Sequence, residues 1–316
     1  MKTFVRSALV FLAIGLAIYA GVYWLAERLL YATGRSNPMF KIETAARAEY
    51  DWVILDASHA MPFDFDDFNA LMERETGLSI LNLASTGSGP LYNRFVLEHF
   101  LRHHRAKHLL YVVDSFSFRT KEWNEDRFVD AKLLRRTPFT WAIARSLFSY
   151  SRQEGVTPLA VLDYVSGFSK INNRERFQPD QWEGEGQFER VYRPSALMLK
   201  KRIEYLYPPL AAPEAVSRYV AVFGELIALA GNHGMEVVLI EAPLPSQFRD
   251  VRPEDPAFAT AMGHLISERA IAFHDLSGAV PDARYYFDTD HLNRAGVNEF
   301  FERHLKAILL SRPISE

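Results

Sequence analysis

Cysteine is absent from the 316-residue chain, which excludes disulfide staples, a thiolate nucleophile and thiolate-bound zinc together. The same absence leaves the redox compartment open and permits export. An excess of basic charge is also missing, since 36 Lys and Arg face 39 Asp and Glu for a net charge of -3 and a sequence pI near 6.4. A chain balanced in this way lacks the electrostatic footprint that nucleic acid demands, so no nucleic-acid partner is expected. No fixed-period repeat and no Gly/Ser-rich linker divides it into independent modules. What it does have is a composition 48% apolar and 13% aromatic, enough to bury the core of one large domain or two small ones.

One apolar run stands out. Ser7 to Ala26 carries no charge over twenty residues, and as a helix rising about 1.5 Å per residue it matches a hydrocarbon core of roughly 30 Å. Tyr19, Tyr23, Trp24 and Tyr31 gather at its far end, where aromatic residues meet a membrane interface. Length favours an uncleaved single-pass anchor over a signal peptide, whose apolar core is shorter, about 7 to 15 residues. Lys2 and Arg6 on one side are matched by Arg28, Arg35 and Lys41 on the other, so basic flanks alone do not orient it.

Beyond the anchor, short β-rich runs alternate with helical periods, which predicts an α/β fold: a doubly wound, parallel five-stranded sheet with helices on both faces. The expected strands are 52–55, 79–83, 108–113, 236–240 and 271–274. The expected helices are 65–75, 91–104, 213–232, 256–270 and 294–310. The stretch 119–210 shows no clear strand and is rich in Trp, Phe, Tyr, Arg and Pro, so it reads as a mainly helical insertion. The chain then divides into an anchor (1–35), the first part of the α/β domain (36–118), the insertion (119–210) and the second part (211–316). Trp123, Trp141, Trp182, Phe139, Phe148 and Tyr150 lie near the basic clusters Arg135-Arg136 and Lys200-Lys201-Arg202. They suit either the core of a helical subdomain or a surface for a membrane or partner.

Sheets of this kind hold ligands outside the carboxyl ends of their strands, and four polar segments fall there. They are Asp56 to His59, Asn82 to Gly89, Asp114 to Ser117, and Phe287 to Asn293 directly before the last helix. A hydroxyl nucleophile needs a base, and the base needs an acid to hold its tautomer. Ser58, His291 and Asp288 can fill those roles, with Asp290 a rival acid that the spacing disfavours. Asn293 is a natural N-cap, which puts His291 near the positive end of a helix and favours the neutral imidazole. Gly87 allows a close turn whose amide, with that of Ser58, could face an oxyanion. Ser88, Ser115 and His59 complete the candidate oxyanion and substrate-binding groups, although an ordinary structural role is the plainer reading of Ser88, Asp114 and Ser115, and His59 reads first as a local structural hydrogen-bonding group that could also reach the substrate. His103 and His104 between Arg102 and Arg105 read as a solvated helix end, and Asp64, Asp66 and Asp67 as the acidic first turn of a helix. No spacing points to a metal, and serine chemistry requires no cofactor.

At Asp288-x-x-His291-Leu292-Asn293-x-x-Gly296 the sequence resembles the last block of the SGNH (GDSL-like) hydrolase superfamily. Leu55 to His59 resembles its nucleophile block, and Asn82 to Pro90 its second block, whose glycine serves the oxyanion hole. The resemblance runs over most of 50–118 and 235–311. It is nearest to membrane-anchored envelope proteins related to the D-alanyl transfer protein of teichoic-acid synthesis and to alginate O-acetylation proteins. Asp56 stands where the family has glycine, and Asp114 to Ser117 where hydrolases of the family have an oxyanion-binding asparagine. The resemblance implies an SGNH/flavodoxin-like fold and serine acyl transfer or ester hydrolysis on an envelope polysaccharide or teichoic-acid-like polymer. It also implies an extracytoplasmic, periplasmic-side domain and a membrane-bound acyltransferase partner. Two other readings stay open: a non-catalytic accessory protein that keeps the fold, and a secreted lipase-like esterase whose leader is cleaved.

Overall fold

The computed structural model describes residues 1–129, 131–209 and 214–311, in two compact units. One comprises Thr44–Arg127 with the chain from Gln181 onward, the other Met1–Glu43 with Phe128–Asp180. The 119–210 stretch is thus shared between the units, and its junction with 211–316 lies outside the described residues, as does Pro213 at the start of an expected helix.

The first unit holds a parallel five-stranded sheet, β1 Glu49–Leu55, β2 Ile80–Asn82, β3 Arg105–Val113, β4 Glu236–Glu241 and β5 Ala272–Asp275, in the order β2-β1-β3-β4-β5. Every pairing is parallel. Side chains alternate between faces with a period of two. Ile54, Leu110, Val112 and Ile240 join Phe63, Phe68, Phe300 and Phe301 in one buried cluster. On the opposite face Tyr111 meets Phe223 of the Ala215–Asn232 helix, ring centroids 4.6 Å apart. β1 and β3 begin three residues before their apolar runs, because Glu49 and Arg105 expose their side chains while their backbones already pair.

Two helix readings are corrected. The first expected helix starts at Phe68, not 65, because Asp66 and Asp67 adopt left-handed backbone with φ of 45° and 61°. These aspartates precede the helix, and Asp66 pairs with Arg294 at 2.5 Å. The last helix is not uniform. It runs α-helically over Arg294–Phe300, widens into a π-helical turn at Phe301–Leu305 and resumes at Lys306–Leu310, keeping Phe300, Phe301 and Leu305 buried.

The second unit is helical among the described residues. Its helix Lys2–Thr33 is long and apolar enough to cross a membrane, with Phe4, Phe11, Leu16 and Ile18 exposed. Midway along it Tyr19 donates to the Ser166 carbonyl at 2.8 Å, and toward its end Glu27 pairs with the buried Lys170. The Asp180 carboxylate gathers the Ser36 hydroxyl and the amides of Ser36 and Asn37 at 2.9 to 3.2 Å. Tyr150 is buried here, whereas Trp141 and Phe148 are exposed.

Candidate active site

β1 delivers Ser58. The strand is buried through Leu55, and the chain then turns tightly because the Asp56 carboxylate accepts the Ala60 amide at 2.7 Å and the Ser58 carbonyl accepts the Met61 amide at 3.2 Å. Asn82, at the end of β2, donates to the Ala60 carbonyl at 2.7 Å, and the Ser85 amide donates to the Asp56 carbonyl at 3.2 Å. The nucleophile turn is thereby fixed to the neighbouring strand end. It lies beside the order reversal between β1 and β3, where open sheets of this type form their ligand crevice.

The loop before the last helix delivers Asp288 and His291. It closes as a small hairpin in which the Phe287 amide donates to the His291 carbonyl at 3.0 Å, with Tyr286 bridged to Leu292. The Asn293 side chain caps the helix by accepting the Gly296 amide at 2.9 Å. Gly296 is needed for close approach, since a Cβ there would lie 2.1 Å from the Tyr285 carbonyl oxygen. Within the loop, Asp288 Oδ1 accepts the amides of Asp290 and His291 at 3.1 and 2.8 Å.

These two loops bring Ser58, His291 and Asp288 into one hydrogen-bonded line. His291 Nδ1 lies 2.9 and 3.0 Å from the Asp288 carboxylate oxygens, and its Nε2 lies 2.9 Å from Ser58 Oγ. A carboxylate can only accept, so the imidazole proton sits on Nδ1 and the Nε2 lone pair faces the serine hydroxyl. Burial pushes the Asp288 carboxyl up, but His291 and the Asp290 amide outweigh it and hold the group below its ordinary value. Phe287 stacks on His291 at 5.6 Å, and Trp182 meets it edge-on at 5.1 Å. Ser58 and His291 are thereby shielded, 5% and 2% exposed, whereas the outer Asp288 keeps 35% of its side chain in contact with solvent. Shielding from water strengthens the electrostatic contacts around those two residues.

A second polar line runs beside the first. His59 Nδ1 lies 2.7 and 2.8 Å from the two Asp114 oxygens, and its Nε2 lies 3.2 Å from Asp290 Oδ2. Arg202, on the Ala196–Leu206 helix, donates its Nε to both Asp290 oxygens at 3.0 and 2.9 Å. Thr289 donates to Asp290 at 2.7 Å. Burial pushes the Asp290 carboxyl up, but Arg202, His291 and His59 together hold it well below the usual range. Burial alone would lower His59, yet Asp114 and Asp290 outweigh it and hold the imidazole well above the usual histidine range. Burial and the neighbouring Asp114 push the Asp56 carboxyl well above its ordinary value. The sequence points to His59, Asp114 and Asp290 separately, Asp290 as a rival acid, but not to their pairing, and it shows Arg202 only as part of a basic cluster.

The remaining candidates have definite places. Gly87 holds a left-handed backbone with φ of 63°, and a Cβ there would lie 2.7 Å from both Trp123 and Arg127. Among the described residues, the backbone N–H groups of Ser58 and Gly87 meet no protein acceptor. Ser88 is turned inward, its hydroxyl donating to the Asp56 carbonyl at 2.7 Å, so it braces the nucleophile turn and does not face a substrate. Ser115 is engaged with the Tyr207 hydroxyl at 3.0 Å. Asp114 cannot supply the hydrogen-bond donor that an asparagine would, because a carboxylate facing His59 only accepts.

Ligating atoms of His59, Asp290 and His291 lie close enough together to hold a metal ion. Their chemistry is already satisfied otherwise. The Arg202 guanidinium supplies the cation at Asp290, and His291 Nε2 faces the serine hydroxyl.

No protein-family model matches the chain, and no curated protein matches it significantly. Among solved structures, a candidate acylhydrolase from Bacteroides fragilis is similar at 8% identity with a TM-score of 0.37, covering 84% of this chain and 90% of its own. A GDSL-like lipase from Bacteroides thetaiotaomicron is similar at 8% identity and a TM-score of 0.37, covering 83% of this chain and 87% of its own. Likeness at that level is too slight to transfer an activity.

Proposed function

We propose that the chain is a serine acyltransferase or ester hydrolase of SGNH type, held at a membrane by Lys2–Thr33. Its substrates are acyl esters of an envelope polysaccharide or teichoic-acid-like polymer on the extracytoplasmic side. The observation that supports the chemistry is the Ser58–His291–Asp288 line of hydrogen bonds at the carboxyl ends of the sheet. Ser58 Oγ attacks the acyl carbonyl and its proton passes to His291 Nε2, while Asp288 holds the imidazole and offsets the charge that forms. The tetrahedral oxyanion is received by the Ser58 and Gly87 amides. Collapse expels the alcohol, which takes the proton from His291 and leaves an acyl-serine. Water or a polymer hydroxyl then attacks the ester, gives its proton to His291, and releases an acid or an acylated polymer as Ser58 is reprotonated.

Transfer is the branch that Asp114 favours. Loss of one oxyanion donor costs about 10² to 10³ in rate, so small free esters should turn over slowly. Tethering near a membrane-bound acyl donor compensates by raising the effective concentration of the reacting groups. The test measures acyl content of purified envelope polymer beside p-nitrophenyl acetate turnover. Wild type should turn the free ester over slowly, and cells carrying Ser58→Ala should lose polymer acylation. Fast free-ester turnover with unchanged polymer acylation in the mutant contradicts the transfer branch. The accessory-protein reading rests on the same acidic replacements at Asp56 and Asp114, and failure of a serine-directed probe to label the chain would favour it.

A further inference from the structure

We propose that His59 is a positioning residue kept permanently as an imidazolium, whose fixed charge offsets the carboxylates around His291 while it ties the Ser58 turn to the Asp288–His291 loop. The inference rests on the acyl-transfer reading for its consequence, but the charge state rests on geometry alone. Both ring nitrogens of His59 face carboxylates from different parts of the chain, Asp114 at the end of β3 and Asp290 in the loop before the last helix. Ionised carboxylates only accept, and a neutral imidazole has one N–H, so only the imidazolium satisfies both partners. The ring is buried, with 4% of its side chain exposed. A bare nitrogen there would set its lone pair against a carboxylate oxygen, 2.7 Å away at Asp114 or 3.2 Å away at Asp290.

The consequence follows from the charges. His291 faces Asp288 at 2.9 Å and Asp290 at 3.6 Å, so two carboxylates lie beside the imidazole that must accept the serine proton. His59, with ring centroids 4.9 Å from His291, and Arg202, 2.8 Å from Asp290, place positive charge against this. Among the described residues, Ser58, Phe287 and Trp182 also contact His291, and they carry no charge. Phe116 and the neighbouring Asp56 also lie beside His59 among the described residues, and burial and Asp114 raise the Asp56 carboxyl well above its ordinary value. His59 immediately follows Ser58, so the strut also sets the position of the nucleophile.

The direct test is nitrogen-15 NMR of histidine-labelled, full-length protein in detergent micelles, with the His59 signals assigned by their loss in His59→Gln. Both His59 nitrogens should remain protonated from about pH 5.5 to about pH 8.5, in wild type and in Ser58→Ala alike. A His59 ring that titrates in that interval, or shows one bare nitrogen, overturns the proposal whatever the enzyme does. The second readout is the pH dependence of fluorophosphonate labelling. His59→Gln should slow labelling roughly tenfold or more and move its acid limb upward by about one pH unit, because Asp290 loses a counter-charge. Slower labelling with the acid limb unmoved would make His59 a structural filler and contradict the charge role. Labelling that survives Ser58→Ala would instead reject the catalytic reading and leave the NMR result standing by itself.

Discussion

Ser58 Oγ and His291 Nε2 lie 2.9 Å apart although 233 residues separate them in sequence. The sheet makes that contact: β1 ends at the nucleophile turn, and the loop before the last helix is closed by its own hairpin bonds and by the Asn293 cap. Little of the pairing depends on flexible groups, which suits a site that must be organised before substrate arrives.

Asp288 and Asp290 are two carboxylates with different work. Asp288→Asn should keep the loop folded, because its side-chain oxygen can still accept the Asp290 and His291 amides. It should nevertheless lose about 10³ to 10⁴ in rate as His291 loses its tautomer. Asp290→Ala should strip His59 and Arg202 of a shared buried anion and cost about 3 to 5 kcal/mol of stability. Thermal unfolding beside probe-labelling rates checks the contrast. Reversed behaviour would exchange the two assignments.

Gly296→Ala should shift the loop that carries His291, because the added carbon meets the Tyr285 carbonyl at 2.1 Å. Overpacking of this kind costs about 1 to 3 kcal/mol, and labelling should slow with it. Gly263→Ala is the control. That helical position has nothing within 4 Å of the added carbon, so the change should be neutral or stabilise by up to about 1 kcal/mol. Equal effects at the two glycines would contradict the packing argument.

Asp56 should make stability depend on pH. Its carboxyl is raised in the folded state by burial and by Asp114. Its contribution is thus fully present below the unfolded value of about 3.9 and is lost as pH rises through the folded value. Folding then takes up a proton, at about 1.4 kcal/mol per pH unit over the interval. Asp56→Asn keeps an acceptor for the Ala60 amide and removes that uptake. Its melting temperature should exceed that of wild type at pH 8, with the gap closing toward pH 4. A variant less stable than wild type at pH 8 would show that the carboxyl is ionised in place.

The membrane reading predicts that the full-length chain stays with the bilayer through carbonate extraction, since the exposed apolar residues of Lys2–Thr33 have no other solvent as favourable. Protease added outside intact spheroplasts should digest the α/β unit. Release by carbonate would reject the anchor, and digestion only after lysis would put the site in the cytoplasm.

Much of this architecture was legible in the sequence, because the strongest signals are local. Apolar runs mark the five strands, and the residues from Asp288 to Gly296 combine a turn-forming carboxylate, a cap and a close-packed glycine within nine positions. Long-range partner choice was not legible. Arg202 sits in a stretch with no motif and reaches Asp290 only because its helix lies against the sheet unit's Ala57, Phe116 and Trp123 cluster through Leu206. Asp114 accepts from His59 across 55 positions of sequence, a relation that no spacing encodes. The left-handed Asp66 and Asp67 likewise delay a helix whose acidic start looked ordinary.

The central claim is that Ser58 is the nucleophile activated by His291. Intact-protein mass spectrometry after treatment with a fluorophosphonate, followed by peptide mapping, tests it most directly. The account predicts one adduct per chain, on Ser58, absent in Ser58→Ala and slowed by about 10³ or more in His291→Ala. An adduct on another serine, or equal labelling in the His291 variant, would contradict it.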